Sequence, residues 1–228
     1  MRTQTVWTFL ITFAAVLASL SLPARAEDTE PAPTSTHRRN TGIPLYHFHR
    51  PSWGFELATA YRVLDDNPNI KAAGGNAYSV SIQAEYQPPF FQSLGVLGLG
   101  PSLAVYPITG GGGGATNSQL GIWSAGGQIR YQARFFREQI LVPVAGYAAE
   151  LITYHLSAGG DGRLTAKGPV LGAYLLLNSF DSEAAADFYV NSGITRSYLI
   201  AEYRNLTGSS DQLNATKGTV YVGLRLEL

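Results

Sequence analysis

Past residue 51 the dominant pattern of this chain is an alternation of apolar and polar side chains over successive stretches, the period at which a β-strand sends neighbouring side chains to opposite faces. The first stretch shows the pattern most clearly. Trp53, Phe55, Leu57, Tyr61 and Val63 share a face with Thr59, and Gly54, Glu56, Ala58, Ala60 and Arg62 occupy the other. A soluble sandwich would bury the apolar face and wet the polar one, whereas a membrane barrel turns the apolar face to lipid and fills a narrow lumen with the polar one. Alternation fits both.

Charge content favours the second. Asp, Glu, Lys and Arg make up 14% of the 228 residues, against roughly 25% in soluble domains. Something other than water is expected to cover part of the surface. There are no cysteines and the formal charge is zero, which excludes a disulfide frame and thiolate chemistry and leaves no footprint for nucleic acid.

The remaining stretches set the strand order. The second, Ala77 to Tyr86, opposes Tyr78, Val80, Ile82 and Ala84 to Ser79, Ser81, Gln83 and Glu85. The third, Val96 to Tyr106, opposes Leu97, Leu99, Leu103 and Val105 to Gly98, Gly100, Ser102 and Ala104. The fourth, Gln119 to Phe135, turns Trp123, Ile129, Tyr131 and Phe135 outward against Gln128, Arg130, Gln132 and Arg134. In the fifth, Ile140 to His155, Leu141, Pro143, Tyr147 and Leu151 are expected outside and Glu150 inside, with Pro143 acceptable only near the strand start. The sixth, Pro169 to Asn178, is nearly all apolar, so its facing is open. The seventh, Thr195 to Asn205, sets Leu199, Ala201 and Tyr203 against Tyr198, Glu202 and Arg204.

Connections alternate in kind. Asp65 to Gly75, Pro107 to Asn117, Ser157 to Ala166 and Thr207 to Lys217 are longer, polar and rich in Gly, Asn, Asp and Ser, and are expected as extracellular loops. Gln87 to Phe91 and Phe136 to Gln139 are short and flanked by phenylalanines suited to an interfacial girdle, and are expected as periplasmic turns. The third turn, Ser179 to Gly193, is longer, with a short helix expected around Glu183 to Asp187.

Arg2, the apolar run Val6 to Leu22 and Ala24-Arg25-Ala26 have the form of a cleaved export signal over residues 1–26. Its removal takes Arg2 and Arg25 and no acid, so 16 basic residues become 14 against 16 acidic ones, a charge of −2. Residues 27–51, rich in Pro, Thr and charge without an apolar period, read as a flexible periplasmic leader. Residues 52–228 are the expected barrel.

The final stretch, Gly218 to Leu228, alternates to the last residue, with Val220, Val222, Leu224, Leu226 and Leu228 on one face. It resembles the C-terminal assembly signal of bacterial outer-membrane proteins, with Leu228 where such signals usually carry an aromatic residue. From residue 52 onward the layout is similar to the small eight-stranded outer-membrane barrels as a class. That resemblance implies an all-β, antiparallel, up-and-down transmembrane barrel; the even strand count returns both termini to the periplasm, and a monomer is expected. It also implies contact with outer-membrane lipid and lipopolysaccharide, and recognition by the barrel-assembly machinery.

An eight-stranded barrel is only wide enough for side chains to fill. The inward positions carry Glu56, Glu85, Glu150, Glu202 and Glu227 with Arg62, Arg130, Arg134, Arg204 and Arg225, a set balanced in sign. Unpaired, each would cost several kcal/mol, so acids and arginines are expected to form a network. The leading expectation is a non-enzymatic envelope protein with a filled lumen and surface-interacting loops. A narrow, porin-like ion or solute channel is the alternative, and a lipid A-modifying enzyme the second alternative.

For the enzyme, His155-Leu156-Ser157 has the spacing of a base beside a hydroxyl, as in outer-membrane lipid A deacylases. The orienting acid is lacking, since Asp161 falls in a stretch expected as a glycine-rich loop. No catalytic residue is assigned. His37, His47 and His49 lie in the leader, where a closed metal site has no frame, and Gly110 to Gly114 lacks the strand-to-helix context of a phosphate loop. Neither metal nor cofactor is expected.

Overall fold

The computed structural model describes residues 50–63, 76–92, 95–106, 120–136, 138–156, 160–210 and 218–228. The expected export segment, nearly all of the leader, the histidines at 37, 47 and 49, the glycine run at 110–114, and the expected loops at 65–75 and 107–117 lie outside the described residues.

Eight strands appear among the described residues: β1 (Trp53–Val63), β2 (Asn76–Tyr86), β3 (Val96–Tyr106), β4 (Leu120–Gln132), β5 (Leu141–Leu156), β6 (Gly160–Leu176), β7 (Arg196–Arg204) and β8 (Thr219–Glu227). Each pairs antiparallel with its chain neighbour, and β8 pairs with β1, so the sheet closes on itself and leaves no edge. The seam is tied at the last residue. Ser52 and Trp53 both donate to the Leu228 carbonyl, at 2.9 and 3.2 Å, and Leu228 donates to the Trp53 carbonyl at 2.9 Å.

The end of the barrel where β1 starts and β8 finishes is here the terminal end, and the opposite one the loop end. Connections at the terminal end run over residues 87–95, 133–140 and 177–195. Pro89–Phe91 form a 3-10 turn, and β6 leads through a second such turn into α1 (Ser182–Ser192), the short helix expected there. Asp181 caps α1 by accepting from the Ala184 amide at 2.9 Å, and Gly193 ends it in the left-handed region at φ 70°.

Burial follows the alternation around the circumference. Phe55, Ile82, Leu103, Ile129, Leu151, Tyr203 and Val222 stand exposed on the outside, while their neighbours Glu56, Gln83, Ser102, Arg130, Glu150, Glu202 and Tyr221 are buried within. Aromatic rings mark both rims of this outer band. Trp53 and Tyr86, a register pair, lie 5.3 Å apart at the terminal end, and Tyr61 and Tyr78 lie 5.1 Å apart toward the loop end.

The sixth strand corrects two expectations. It runs from Gly160, nine residues before the expected start, so most of the loop expected over 157–166 is strand paired with β5 from Leu156↔Gly160 onward. Its facing, open on the sequence, is set with Leu164, Ala166, Val170 and Tyr174 inside and Asp161, Arg163, Thr165 and Lys167 outside. Toward the loop end the polarity is therefore the reverse of the band below. β4 also stops at Gln132, leaving Phe135 exposed beyond it. Past Thr207, which bridges to Lys167, residues 211–217 of the expected last loop are outside the described residues.

Candidate functional site

Charged side chains from six of the strands and from the turn after β4 converge inside the barrel. Each comes from an inward position of the alternation, and the register decides which ones meet. Arg130 of β4 is the hub. Its Nε donates to Glu85 Oε2 at 2.8 Å, its Nη2 to Glu56 Oε2 at 2.8 Å, and its Nη1 to Glu202 Oε1. The residue is completely buried.

Arg225 of β8 repeats the arrangement nearer the terminal end. Its Nη2 donates to Glu85 Oε1 at 2.5 Å, and Nη1 and Nε approach Glu56 and Glu227 at 3.4 and 3.3 Å. Arg204 of β7 holds Glu202 Oε2 through Nη2 at 2.9 Å and lies over the Tyr221 ring at 4.1 Å. Past the end of β4, Arg134 donates to Glu227 Oε2 at 2.7 Å and to the Tyr198 hydroxyl at 3.0 Å.

Neutral donors complete the shells of these carboxylates. Tyr174 donates to Glu202 at 2.8 Å, Gln132 to Glu85 at 3.1 Å and Gln87 to Glu227 at 2.9 Å. Charge-assisted bonds of this kind offset the desolvation of buried ions. Glu150 stands apart. Its Oε1 lies 3.6 Å from Arg204 Nη1, and its Oε2, buried, has no hydrogen-bond partner among the described residues.

Glycines make the room. A side chain at inward Gly54 would overlap the Arg225 guanidinium, one at Gly98 the Glu85 carboxylate, one at Gly146 the Arg130 stem and one at Gly126 the Glu150 stem. Each long charged chain lies across a neighbouring strand that offers only backbone there.

Above the charged ladder the interior becomes apolar. Tyr106, Ile122, Ile152, Tyr154, Leu164, Val170 and Leu206 form one buried cluster at the loop end on the β3 to β7 side. The Tyr154 hydroxyl bonds Ser210 Oγ at 3.0 Å above it.

Of the ten charged positions expected in the lumen, nine are buried: Glu56, Glu85, Arg130, Arg134, Glu150, Glu202, Arg204, Arg225 and Glu227. Arg62 sits near the loop end of β1, opposite Ala77, and its side chain is outside the described residues. Arg196, not among the expected positions, also joins the set, 3.8 Å from Glu227 Oε2. Its signal was its place two residues before inward Tyr198. Tyr174 was hidden in the undecided sixth strand and Gln87 in a presumed turn.

His155 and Asp161 correct a further expectation. Asp161 lies in β6 as the register partner of His155, and its Oδ1 contacts the imidazole Nδ1. Both side chains are more than two-thirds exposed, at 71% and 74%. Ser157 is outside the described residues. Among the described residues no group of three or more His, Asp or Glu is placed to hold a metal.

These features define a small all-β barrel of eight antiparallel strands, closed and filled by its own side chains, with one short helix. No family model and no curated protein matches the chain. Among solved structures it is similar to neisserial surface protein A, at 15% identity and a TM-score of 0.49, covering 77% of this chain and 97% of that one. It is also similar to the outer membrane protein OprG of Pseudomonas aeruginosa, at 10% identity, TM-score 0.43 and coverage of 80% and 98%. Ail, the attachment invasion locus protein of Yersinia pestis, matches at 12% identity, TM-score 0.35 and coverage of 78% and 97%. The class assignment rests on the strand order and the filled interior.

Proposed function

We propose that this chain is an integral protein of a bacterial outer membrane, a sealed, non-enzymatic barrel that anchors surface loops in lipid. One observation carries the reading: between the two aromatic rims the apolar face of the alternation is outside, while nine arginines and glutamates are buried inside. A soluble monomer rarely exposes a contiguous apolar patch beyond a few hundred Å², and a closed sheet with its backbone fully paired is one of only two architectures that cross a bilayer. Aromatic rings at both rims match the two interfaces.

Orientation follows from the connections. Short turns mark the periplasmic side of such barrels and longer loops the exterior. Two of the three terminal-end connections (87–95 and 133–140) are shorter than three of the four at the loop end, with 157–159 and the helix-bearing 177–195 as exceptions. This supports reading the terminal end, and with it both ends of the mature chain, as periplasmic. The outward row Val220, Val222, Leu224, Leu226 and Leu228 would then be the part of the last strand that the assembly machinery reads, and the seam bonds of Leu228 give that row a structural task as well. Lipid, including lipopolysaccharide, is the partner of the outer band, and the barrel acts as a monomer.

Sealing is supported by the interior. A permeating ion would have to break Arg130 away from three carboxylates and then pass the apolar cluster around Ile152 and Leu164, a layer of the kind that stops conduction by excluding water. The exposed His155 and Asp161 pair stands in water, without the dry, preorganised surroundings that acyl chemistry uses.

The test is the mature chain refolded in detergent and placed in planar bilayers. A faster-migrating band before boiling, together with a membrane that shows no discrete openings, is the expected result. Openings altered by charge reversal at Arg130 or Glu202 would establish the channel instead.

A further inference from the structure

The outward face of β6 changes character abruptly. Up to Leu171 and Pro169 it is apolar, level in register with Tyr203 of β7 and Tyr147 of β5. Two residues further on it becomes Lys167, then Thr165, then Arg163, all exposed. The two cations are four residues apart on one face, roughly 13 Å along the strand. Among the described residues neither forms an ion pair, because the adjacent acid, Asp161, is engaged by His155.

Their backbone is held firmly. Lys167 exchanges both main-chain bonds with Thr207, at 3.0 and 2.9 Å, and Arg163 pairs with Thr153 of β5. Two cations fixed immediately beyond a pair of tyrosines stand where lipid headgroups begin if those tyrosines mark the outer interface. A headgroup there is met by opposite charge on a rigid ladder, and no loop has to move.

We propose that Arg163 and Lys167 form a docking site for the phosphates of an anionic outer-leaflet glycolipid, with acyl chains running down the apolar face beside Leu171. The site rests on the membrane placement proposed above and gives it a ligand class: a phosphorylated lipid, held by its headgroup on the outside of the barrel.

The experiment uses the mature chain in phosphatidylcholine nanodiscs doped with bis-phosphorylated lipid A or with the same lipid dephosphorylated, the retained lipid being counted by native mass spectrometry. Two cations near a charged surface contribute roughly 30-fold in affinity, so the phosphorylated form is expected to be retained about that much better by the wild type, with the preference lost in R163Q/K167Q. Both residues are exposed, so the double variant keeps its heat-modifiable band. Equal retention of the two lipids by the wild type, or a preference that survives in the folded double variant, overturns the site while leaving the barrel in its membrane. Equally tight binding of the phosphorylated disaccharide without acyl chains overturns it too, because the ligand is then a free phosphate. A chain that enters no bilayer overturns both readings together.

Discussion

Arg225 of β8 reaches across the bare backbone of Gly54 to hold Glu85 of β2, with 2.5 Å between Nη2 and Oε1. Gly54 is the register partner of Glu85 on one side and of Glu227 on the other. The ion pair therefore spans the strand at which the barrel closes, and fastens the second strand to the last from within.

Filling that seat should be costly. Gly54→Val places carbon where the guanidinium lies, and displacing a buried, paired ion is expected to destabilise the barrel by about 3 kcal/mol or more. Gly127→Ala is the control, since a Cβ there meets only the Gly100 carbonyl at an ordinary 3.7 Å. Urea unfolding in detergent micelles, followed by tryptophan fluorescence, should show the first shift and little change from the second.

Arg130 should be the most sensitive position in the lumen. Arg130→Met leaves Glu56, Glu85 and Glu202 each short of a partner and is expected to cost about 3 to 5 kcal/mol. Adding Glu202→Gln to that variant should recover part of the loss, because the two act as one unit. Additive effects in the double-mutant cycle would contradict the paired geometry.

Glu150 and Glu202 are both buried glutamates, but their partners differ. Glu202 accepts from Arg130, Arg204 and Tyr174, and Glu150 has one cation at 3.6 Å and an unsatisfied oxygen. Glu202→Gln is expected to lower stability by about 2 kcal/mol or more, and Glu150→Gln by less than about 1 kcal/mol, because little is lost and an unmet desolvation cost is relieved. The same unfolding measurement ranks them.

Removing Leu228 takes away three main-chain bonds at the seam. At roughly 1 kcal/mol per net hydrogen bond, the shortened chain is expected to lose its compact band at a lower temperature in a heat-modifiability series. An unchanged transition temperature would mean that closure does not depend on the last residue.

Much of this was legible in the chain. Period two placed the strands, and where a face alternated cleanly, as in β1 or β8, it also assigned inside and outside. It failed in β6 because the polarity reverses beyond Tyr147 and Tyr203, where Arg163 and Lys167 turn outward and Leu164 and Ala166 turn inward. A rule learned from the band below reads that stretch as a loop. Partner choice was equally hidden. That Arg130 meets Glu202, or that Arg196 stands beside Glu227, depends on register and on which glycines leave room, and neither is carried by any single strand.

The central claim is that the outward row faces lipid. The chain has no cysteine, so single nitroxide labels can be set at Val220, Val222 and Leu224 and compared with Thr219 and Tyr221 in bilayers. Collision with oxygen should be high at the first three and low at the other two, with a water-soluble nickel relaxant excluded from all five. Outward labels that relax faster with the nickel reagent than with oxygen would contradict the account.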